Sequence, residues 1–417
     1  MKPSSEKAKS ASKVSSRGSL EGCVPSLRFP GFEGEWESRA FENIFDFIPN
    51  NTLSRSELTH DNGSVKNIHY GDVLVKFGAV IDFEHDDVPF IANHNVSIAE
   101  RRLQDGDVVI ADTAEDEAVG KASEVVGLKG TYAESGLHTM ACRPRQRFAP
   151  RFMGYCLNSA AYHHRLLPLM QGIKVFSLSK SQISKTEIYI PYDEAEQQQI
   201  ADFLSLIDSR IAAQRKLVTL LKKQKRGLLK EIFERSAEGE YKSFCEIAIR
   251  RSEKVAPTKD SELDCIELEH IEPDTGLLLG RVQLRKQDSL KNLCKPNDIV
   301  FGKLRPYLRK FLFAKTECAV SSETWVLTAA DGILPKFLFY LIQSEPFMQA
   351  ANVSSGTKMP RSEWSNVANA KFHIPNAGRQ LAIANCLSEV DTRIHQTQRV
   401  ISAMEVYKRG LLQALFV

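Results

Sequence analysis

Several features that would mark a secreted, zinc-binding or membrane-spanning protein are missing from this sequence. Its eight cysteines are scattered over 417 residues without a C-x-x-C pair, which argues against a structural zinc site and against a disulfide framework. No stretch approaches the roughly 18 consecutive apolar residues that span a bilayer. Charge of one sign is not in excess, because 55 basic and 52 acidic residues leave a formal net charge of +3. We therefore expect a reduced, cytoplasmic protein without a membrane partner, in which any attraction to phosphate comes from local patches.

Recognisable catalytic motifs are also absent. The sequence contains no G-x-x-x-x-G-K-S/T, G-x-G-x-x-G, H-E-x-x-H or G-x-S-x-G motif. It also lacks N-P-P-F/Y and D-P-P-F/Y, the tetrapeptides with which amino-methyltransferases hold a flipped base. Two acidic clusters, 112–117 and 262–269, are typical of solvated loops and strands rather than of a metal nuclease. We expect no catalytic residue, no metal site and no cofactor in this chain.

The most informative feature that is present is an internal repeat. The segment 197–233 matches 380–416 at a constant offset of 183 without a gap, including the string Lys-Arg-Gly-Leu-Leu in both copies. Upstream of each copy the offset drifts, and only short strings still match. One unit is therefore a variable globular domain followed by a constrained helix, and the chain contains two units.

The variable parts have the pattern of mixed α+β domains. Short apolar runs predict strands, and longer amphipathic runs predict helices. The predicted strands are at 73–75, 108–110, 188–190, 299–301 and 324–327, and the predicted helices at 151–169 and 336–351.

The repeated helices carry a heptad pattern with alternating steps of four and three. Both seams are interrupted by a polar residue at the same two places, Gln214 and Lys225 in the first copy and Thr397 and Lys408 in the second. A seam this narrow predicts one partner helix, and the other copy is the best available partner. The alternative is two separate amphipathic helices, each packed on its own domain. The apolar seam positions are Ile200, Leu204, Ile207, Ile211, Val218, Leu221, Leu228, Ile383, Leu387, Val390, Ile394, Ile401, Met404 and Leu411.

Basic side chains in the variable domains are the candidate DNA contacts, because Arg and Lys neutralise phosphate and Arg reads guanine edges. Three arginines alternate at 143–147, a cation-rich stretch with one tyrosine spans 303–310, and two lysines follow matched glycines at 172 and 356. For any single one of them, a solvated surface charge is the alternative. The candidates are Lys121, Arg143, Arg145, Arg147, Lys174, Lys303, Arg305, Tyr307, Arg309, Lys310, Lys358 and Arg361.

Four segments together resemble the specificity subunits of type I restriction–modification systems. The string from Leu27 to Trp36 resembles the start of that family's sequences, and Gly-Lys-Leu-Arg-Pro-Tyr-Leu at 302–308 and Ser-Gly-Thr-Lys-Met-Pro-Arg at 355–361 resemble its target-recognition motifs. The segment from Pro191 to Asp208 resembles the start of its spacer helix. The resemblance covers about residues 27–417, and the order of the segments is more specific than any one of them.

This resemblance implies an α+β chain in which two target-recognition domains are joined by two long antiparallel coiled-coil spacer helices with pseudo-two-fold symmetry. The implied divisions are a disordered Ser/Lys-rich tail at 1–26, recognition domains at 27–191 and 237–375, and spacer helices at 192–236 and 376–417.

The function implied by the resemblance needs no chemistry in this chain. The subunit would recognise a bipartite site in double-stranded DNA. Two modification subunits would supply S-adenosylmethionine and methylate adenine N6, and restriction subunits would supply ATP-driven cleavage with magnesium. The alternatives are a self-contained DNA nuclease and a coiled-coil scaffold that does not bind DNA.

Overall fold

The computed structural model describes residues 23–92, 98–235, 239–353 and 359–417. They divide into two compact units, and the boundaries fall inside the long helices. Unit 1 extends to Ile211 and includes Ala403–Val417, whereas unit 2 is Ala212–Ser402. This division differs from the predicted one, because each unit contains the beginning of one long helix and the end of the other. The predicted tail at 1–26 falls largely outside the described residues.

The strands are β1 (Glu37–Ala40), β2 (Phe45–Ile48), β3 (Leu58–Thr59), β4 (Val65–Ile68), β5 (Val80–Asp82), β6 (Phe90–Ile91), β7 (Val108–Ala111), β8 (Thr113–Ala114), β9 (Ala122–Val126), β10 (Tyr132–Ser135), β11 (Thr139–Pro144), β12 (Phe176–Ser177), β13 (Glu187–Ile190), β14 (Glu240–Ser243), β15 (Ala248–Arg251), β16 (Lys254–Val255), β17 (Asp264–Ile266), β18 (Val282–Gln283), β19 (Lys291–Cys294), β20 (Ile299–Gly302), β21 (Phe311–Phe313), β22 (Cys318–Val320), β23 (Thr324–Ala329) and β24 (Lys371–Ile374). The helices are α1 (Phe41–Ile44), α2 (Phe152–Leu157), α3 (Ala160–Leu166), α4 (Lys180–Ile183), α5 (Glu194–Lys230), α6 (Phe244–Ile247), α7 (Pro335–Leu341), α8 (Glu345–Asn352), α9 (Trp364–Ala368) and α10 (Ala377–Ala414).

Unit 1 is built on a five-stranded sheet of order β2-β11-β7-β9-β5 and a four-stranded sheet of order β10-β4-β6-β3. Strand β7 is a run of four apolar residues that are all buried, as expected for a central strand covered on both faces. One apolar core includes Ile68, Ile81, Val109 and Val125 and so joins side chains of both sheets.

Unit 2 has a four-stranded sheet of order β15-β23-β20-β21 and a five-stranded sheet of order β16-β19-β22-β17-β18. Its main core is aromatic: Phe244 and Phe347 lie 5.1 Å apart between ring centroids, and Phe301 meets Phe347 edge to face at 5.2 Å. A separate two-stranded pairing of β14 with β24 repeats the pairing of β1 with β13 in unit 1. The repeat is thus visible in the strand pairing as well as in the sequence.

Each of the two long helices begins at the residue directly after a capping side chain. The Asp193 carboxylate accepts the amide hydrogen of Ala195 at 2.8 Å, and the Asn376 side-chain oxygen accepts that of Arg379 at 2.9 Å. The helix expected at 192–236 is observed as α5 followed by a π-type turn at Glu231–Arg235, and the one expected at 376–417 as α10. Every apolar seam position is buried or half-buried.

The sequence-based predictions for the domains need three corrections. Val73–Val75 is not a strand but part of a short π-type helix, Asp72–Lys76. The helix expected at 151–169 is divided because the Ser159 hydroxyl caps α3, accepting the Tyr162 amide hydrogen at 3.2 Å. The helix expected at 336–351 is divided before Glu345–Asn352, whose second residue is a proline. In the part of the chain that the structure describes, no helix is both long and apolar enough to cross a bilayer.

Candidate nucleic-acid interface

In unit 2, the loop between β20 and β21 is fixed against a second loop by backbone hydrogen bonds. The Arg305 amide donates to the Pro360 carbonyl at 2.8 Å, and the Ser362 amide donates to the Lys303 carbonyl at 2.8 Å. Arg305 has a φ of +51°, and the buried Pro306 follows it in a short 3-10 turn. A bridge between Leu304 and Arg361 completes the contact. Side chains from both loops therefore share one surface.

We call this the unit 2 basic surface, consisting of Lys303, Arg305, Tyr307 and Arg361. Arg361 forms a fork to Glu323, with Nε 3.0 Å from Oε2 and Nη2 3.3 Å from Oε1, and this arginine holds the pKa of Glu323 below its ordinary value. Arg305 and Tyr307 are exposed, and among the described residues the Arg305 guanidinium has no ion-pair partner. An exposed cation beside an exposed ring is suited to contact with phosphates and bases.

Four of the predicted DNA contacts are instead committed to the interior of their own unit. Arg143 pairs with buried Asp107 at 2.7 Å, and the Lys121 ammonium donates to the carbonyls of Leu74 and Phe77, both at 2.9 Å. Burial lowers the pKa of Lys121.

The same applies in unit 2, where Arg309 pairs with Asp274 and Lys310 donates to the Leu268 carbonyl, both at 2.6 Å. These side chains stabilise loops and strands, so they are withdrawn from the set of candidate contacts.

In unit 1 the counterpart of the clamped loop is the connection between β7 and β9, in which β8 pairs with β12. Just before β12 the chain forms a tight tip at 172–175, where Gly172 has a φ of +120°. A Cβ on that glycine would lie 1.9 Å from the Val175 carbonyl oxygen, so only glycine fits. The tip presents Ile173, which is 94% exposed, and the exposed Lys174.

The remaining predicted contacts are dispersed. Arg145 pairs with Asp46 at 2.8 Å and Arg147 with Glu194 at 3.6 Å, and both arginines are largely exposed. The three alternating arginines thus have different partners, since Arg143 pairs with Asp107. Lys358 lies outside the described residues.

A second duplicated arrangement links each domain to the long helices. In the unit 1 cluster (Tyr155, Asp208, Lys408), the Tyr155 hydroxyl donates to Asp208 at 2.8 Å, and the Lys408 ammonium lies 2.6 and 2.8 Å from the two carboxylate oxygens. The ammonium is also 5.4 Å from the Tyr155 ring centroid. The cluster therefore joins the start of α5 to the end of α10 through one carboxylate.

The unit 2 cluster (Tyr340, Asp391, Lys225) has the same geometry. The Tyr340 hydroxyl donates to Asp391 at 3.0 Å, and the Lys225 ammonium lies 2.7 Å from that carboxylate and 5.6 Å from the ring centroid. Burial lowers the pKa of Lys225, against the influence of Asp391, and raises the pKa of Tyr340.

The sequence carries a signal for these clusters that the heptad pattern alone does not reveal. Lys225 and Lys408 are polar positions within the apolar seams, and both the lysines and the aspartates are related by the offset of 183. Charges of opposite sign that recur at one offset on paired helices are candidates for a repeated ion pair.

Among residues 23–92, 98–235, 239–353 and 359–417, no group of three or more His, Cys, Asp or Glu side chains is arranged to hold a metal ion.

Comparison with known proteins gives consistent results. Residues 33–223 match the family model described as the type I restriction modification DNA specificity domain. A putative type I restriction enzyme MjaX specificity subunit from Methanocaldococcus jannaschii is 26% identical over 219 residues, covering 50% of this chain and 48% of that protein. The MjaVIII specificity subunit of the same organism is 24% identical over 278 residues, covering 59% of this chain and 64% of that protein. The alignments thus span about half of the first relative and under two thirds of the second.

Among solved structures, the S subunit of a type I restriction–modification system from M. genitalium has a TM-score of 0.57 at 14% identity, covering 94% of this chain and 99% of that one. A chain from a structure of type I restriction–modification complex assembly and conformational transition has a TM-score of 0.53 at 14% identity, covering 90% of this chain and 96% of that one. At this identity the likeness establishes a shared fold of mixed α and β content with long helices. The family match thus covers residues 33–223, a little under half of the chain, and within that range the chain is similar to type I restriction modification DNA specificity domains.

Proposed function

We propose that this chain is the DNA-binding specificity subunit of a type I restriction–modification complex and that it performs no chemistry itself. The observation that carries the proposal is the unit 2 basic surface, a rigidly clamped loop that exposes Arg305 and Tyr307 beside Arg361. In unit 1 the corresponding role falls to the tip at 172–175, with Lys174, and to the exposed Arg145 and Arg147. Each unit would read one half of a bipartite site in double-stranded DNA.

We further propose that α5 and α10 form the antiparallel coiled-coil spacer that sets the distance between the half-sites. Two features support this role: the heptad seam is buried, and a Tyr–Asp–Lys cluster occurs in each unit. Asp208 and Lys225 are separated by 17 positions on α5, as are Asp391 and Lys408 on α10. Matching separations allow both clusters to form in one register of the helix pair.

The partners follow from the same proposal. The pseudo-two-fold repeat would present two equivalent surfaces to two modification subunits, which would bind S-adenosylmethionine and methylate adenine N6. Restriction subunits would bind ATP and magnesium and cleave unmodified DNA.

The decisive experiment is co-expression with a candidate modification subunit that carries N-P-P-F/Y, followed by sequencing of methylated adenines in the host genome. We expect one new bipartite motif that requires both chains. If the methylated motif is the same without this chain, the proposal is refuted. Cleavage of DNA by the purified chain with magnesium alone would instead support a nuclease.

A charge reversal then tests the basic surface. Arg305→Glu should weaken DNA binding by the assembled complex roughly tenfold or more and reduce the salt dependence of binding. Lys336→Glu is the matched control, because Lys336 is an exposed cation of the same unit that lies on α7, outside the clamped loops. Equal losses in the two variants would mean that only overall charge matters. Complete insensitivity to both would favour a scaffold.

A further inference from the structure

Two cysteines face each other across neighbouring strands of unit 2. In the antiparallel pairing of β19 with β22, Cys294 is directly opposite Cys318. Directly opposed residues in antiparallel strands have Cα atoms about 4.5–5.5 Å apart, which lies within the 4.4–6.8 Å that a disulfide spans. Both side chains belong to the same apolar cluster on one face of the sheet. The backbone thus holds the two sulfurs where a covalent bond requires little movement.

A third thiol nearby provides an internal comparison. Cys265 on β17 is opposite Ala319, not Cys318. Because neighbouring residues in a strand point to opposite faces, Cys265 and Ala319 pack in a different cluster, with Leu284. The Cys265 sulfur lies 3.8 Å from the Glu267 carboxylate. The strand register, and not proximity in the sheet alone, therefore places Cys294 rather than Cys265 opposite Cys318.

Cys318 is buried, with 3% of its surface exposed, but it lies at a cavity wall. It lines a cavity of about 680 Å³ in unit 2, together with Asp264, Arg281 and Leu312. Cys294 is not part of the cavity lining. The interaction between the two thiols lowers the pKa of Cys318 and raises that of Cys294. Because Cys318 and not Cys294 lines the cavity, Cys318 is the sulfur that a small oxidant meets first.

We propose that Cys294 and Cys318 form a reversible disulfide when the protein meets a peroxide. The Cys318 thiolate attacks one peroxide oxygen and breaks the O–O bond, giving a sulfenic acid and, after protonation, one water. The Cys294 sulfur then attacks the sulfenic sulfur, the S–S bond forms, and the hydroxyl leaves as a second water. The two sulfurs together lose two electrons, which reduce the peroxide. An external thiol returns the pair to the reduced form by exchange.

Hydrogen bonds connect the strand that carries Cys294 to the unit 2 basic surface. Two residues before Cys294, the Asn292 side-chain amide donates to the carbonyls of Ser321 at 3.2 Å and Thr324 at 3.0 Å. The turn between those residues contains Glu323, which pairs with Arg361 and whose carbonyl accepts the Lys303 amide hydrogen. An altered separation of β19 and β22 would shift this turn. We therefore expect oxidation to change DNA affinity, a step that rests on the proposed function.

The test uses the full chain with the exposed Cys245 and Cys386 replaced by serine, so that surface thiols do not dominate the reaction. After exposure to hydrogen peroxide, free thiols are alkylated, and the protein is digested without reductant for mass spectrometry. We expect a peptide linking Cys294 to Cys318 that disappears on treatment with dithiothreitol. Cys294→Ser should stop the reaction at a sulfenic acid on Cys318 that dimedone traps, whereas Cys265→Ser should leave the link unchanged.

A Cys265–Cys318 link, or full alkylation of Cys294 and Cys318 after peroxide, would overturn the proposal. DNA binding by the assembled complex is then compared before and after oxidation, with Cys294→Ser as the control. A disulfide that leaves affinity unchanged would refute only the coupling to the basic surface. Absence of DNA binding in the reduced complex would instead refute the proposed function.

Discussion

Replacement of Lys225 by methionine should destabilise unit 2 far more than the equivalent replacement of Lys408 destabilises unit 1. The two lysines occupy the same place in the repeat and contact equivalent aspartates. They differ in burial: the Lys225 and Asp391 side chains are 5% and 11% exposed, whereas those of Lys408 and Asp208 are 18% and 36% exposed. Comparing the two substitutions therefore isolates the effect of solvent exposure, because the two ion pairs have the same chemistry.

The expected magnitudes follow from that difference. Lys225→Met leaves the Asp391 carboxylate buried without its cation, and removing one partner of a buried pair costs about 3–5 kcal/mol. Asp208 keeps much of its hydration when Lys408 is lost, so Lys408→Met should cost about 1 kcal/mol, near the upper end for exposed pairs. Replacing the whole unit 2 cluster by apolar groups, with Lys225→Met, Asp391→Leu and Tyr340→Phe, removes the stranded charge. The triple variant should therefore recover most of the loss.

The assay is urea unfolding of the full chain monitored by circular dichroism and by tryptophan fluorescence. A Trp36→Phe background removes the tryptophan of unit 1, so that the fluorescence reports Trp325 and Trp364 of unit 2. The reasoning predicts a clear shift of the unit 2 transition for Lys225→Met and a small shift of the unit 1 transition for Lys408→Met. Equal shifts in the two units would refute the argument from burial. A triple variant less stable than Lys225→Met would show that the polar cluster contributes net stability.

Three further predictions concern single positions. Burial raises the pKa of Glu124 from 4.5 to about 7, so the native state favours the protonated form. The stability that this protonated carboxyl adds to the native state is full below pH 4.5 and is lost as the pH rises through 7. The free energy of unfolding of unit 1 should fall across that window by on the order of 3 kcal/mol, and Glu124→Gln should flatten the pH profile measured by urea titration. Gly227→Ala and Gly410→Ala should each stabilise the chain by about 0.5–1 kcal/mol, because alanine favours the helix and its Cβ would meet no atom within 4 Å at either position. A lower stability of either variant in urea unfolding would contradict this. Gly172→Ala should instead lower the free energy of unfolding by about 1–3 kcal/mol, because the φ of +120° and the nearby Val175 carbonyl leave no room for a side chain. An unchanged urea midpoint would contradict the tight conformation of the tip at 172–175.

The helices were the most predictable part of the fold. Their periodicity and the constant offset of 183 indicated two long helices, and α5 and α10 lie inside the expected ranges. Local signals explain this success, because a heptad pattern and an N-terminal cap depend only on residues near in sequence. Short apolar runs were less reliable, as Val73–Val75 shows, because a five-residue helix and a short strand have similar composition.

The candidate contacts were harder to predict, because the role of a cation depends on the tertiary partner that it meets. Arg305 and Arg309 are four positions apart in one loop with nearly the same φ, yet Arg305 is exposed while Arg309 binds Asp274 and the Gln343 carbonyl. Nothing in the local sequence distinguishes them, because Asp274 and Gln343 are each more than 30 positions away. Only the folded unit separates a cation that stabilises a loop from one that is free to bind phosphate.

The same reasoning explains why the two copies of the repeat are alike in the helices and different in the loops. Some helix residues depend on a partner in the other helix: Leu221 of α5 packs against Val390 and Ile394 of α10. Ion pairs also join the two helices, Asp208–Lys408 in unit 1 and Lys225–Asp391 in unit 2. The exposed positions of the clamped loops have no such constraint, because backbone hydrogen bonds and committed side chains such as Arg309 hold the loops in place. Unit 2 therefore displays cations at 303–310 where the matching connection of unit 1 is acidic at 112–117. On the proposed function, a frame that fixes the loop backbone and leaves exposed side chains free would allow each unit to acquire its own DNA sequence preference without loss of the contacts between the helices.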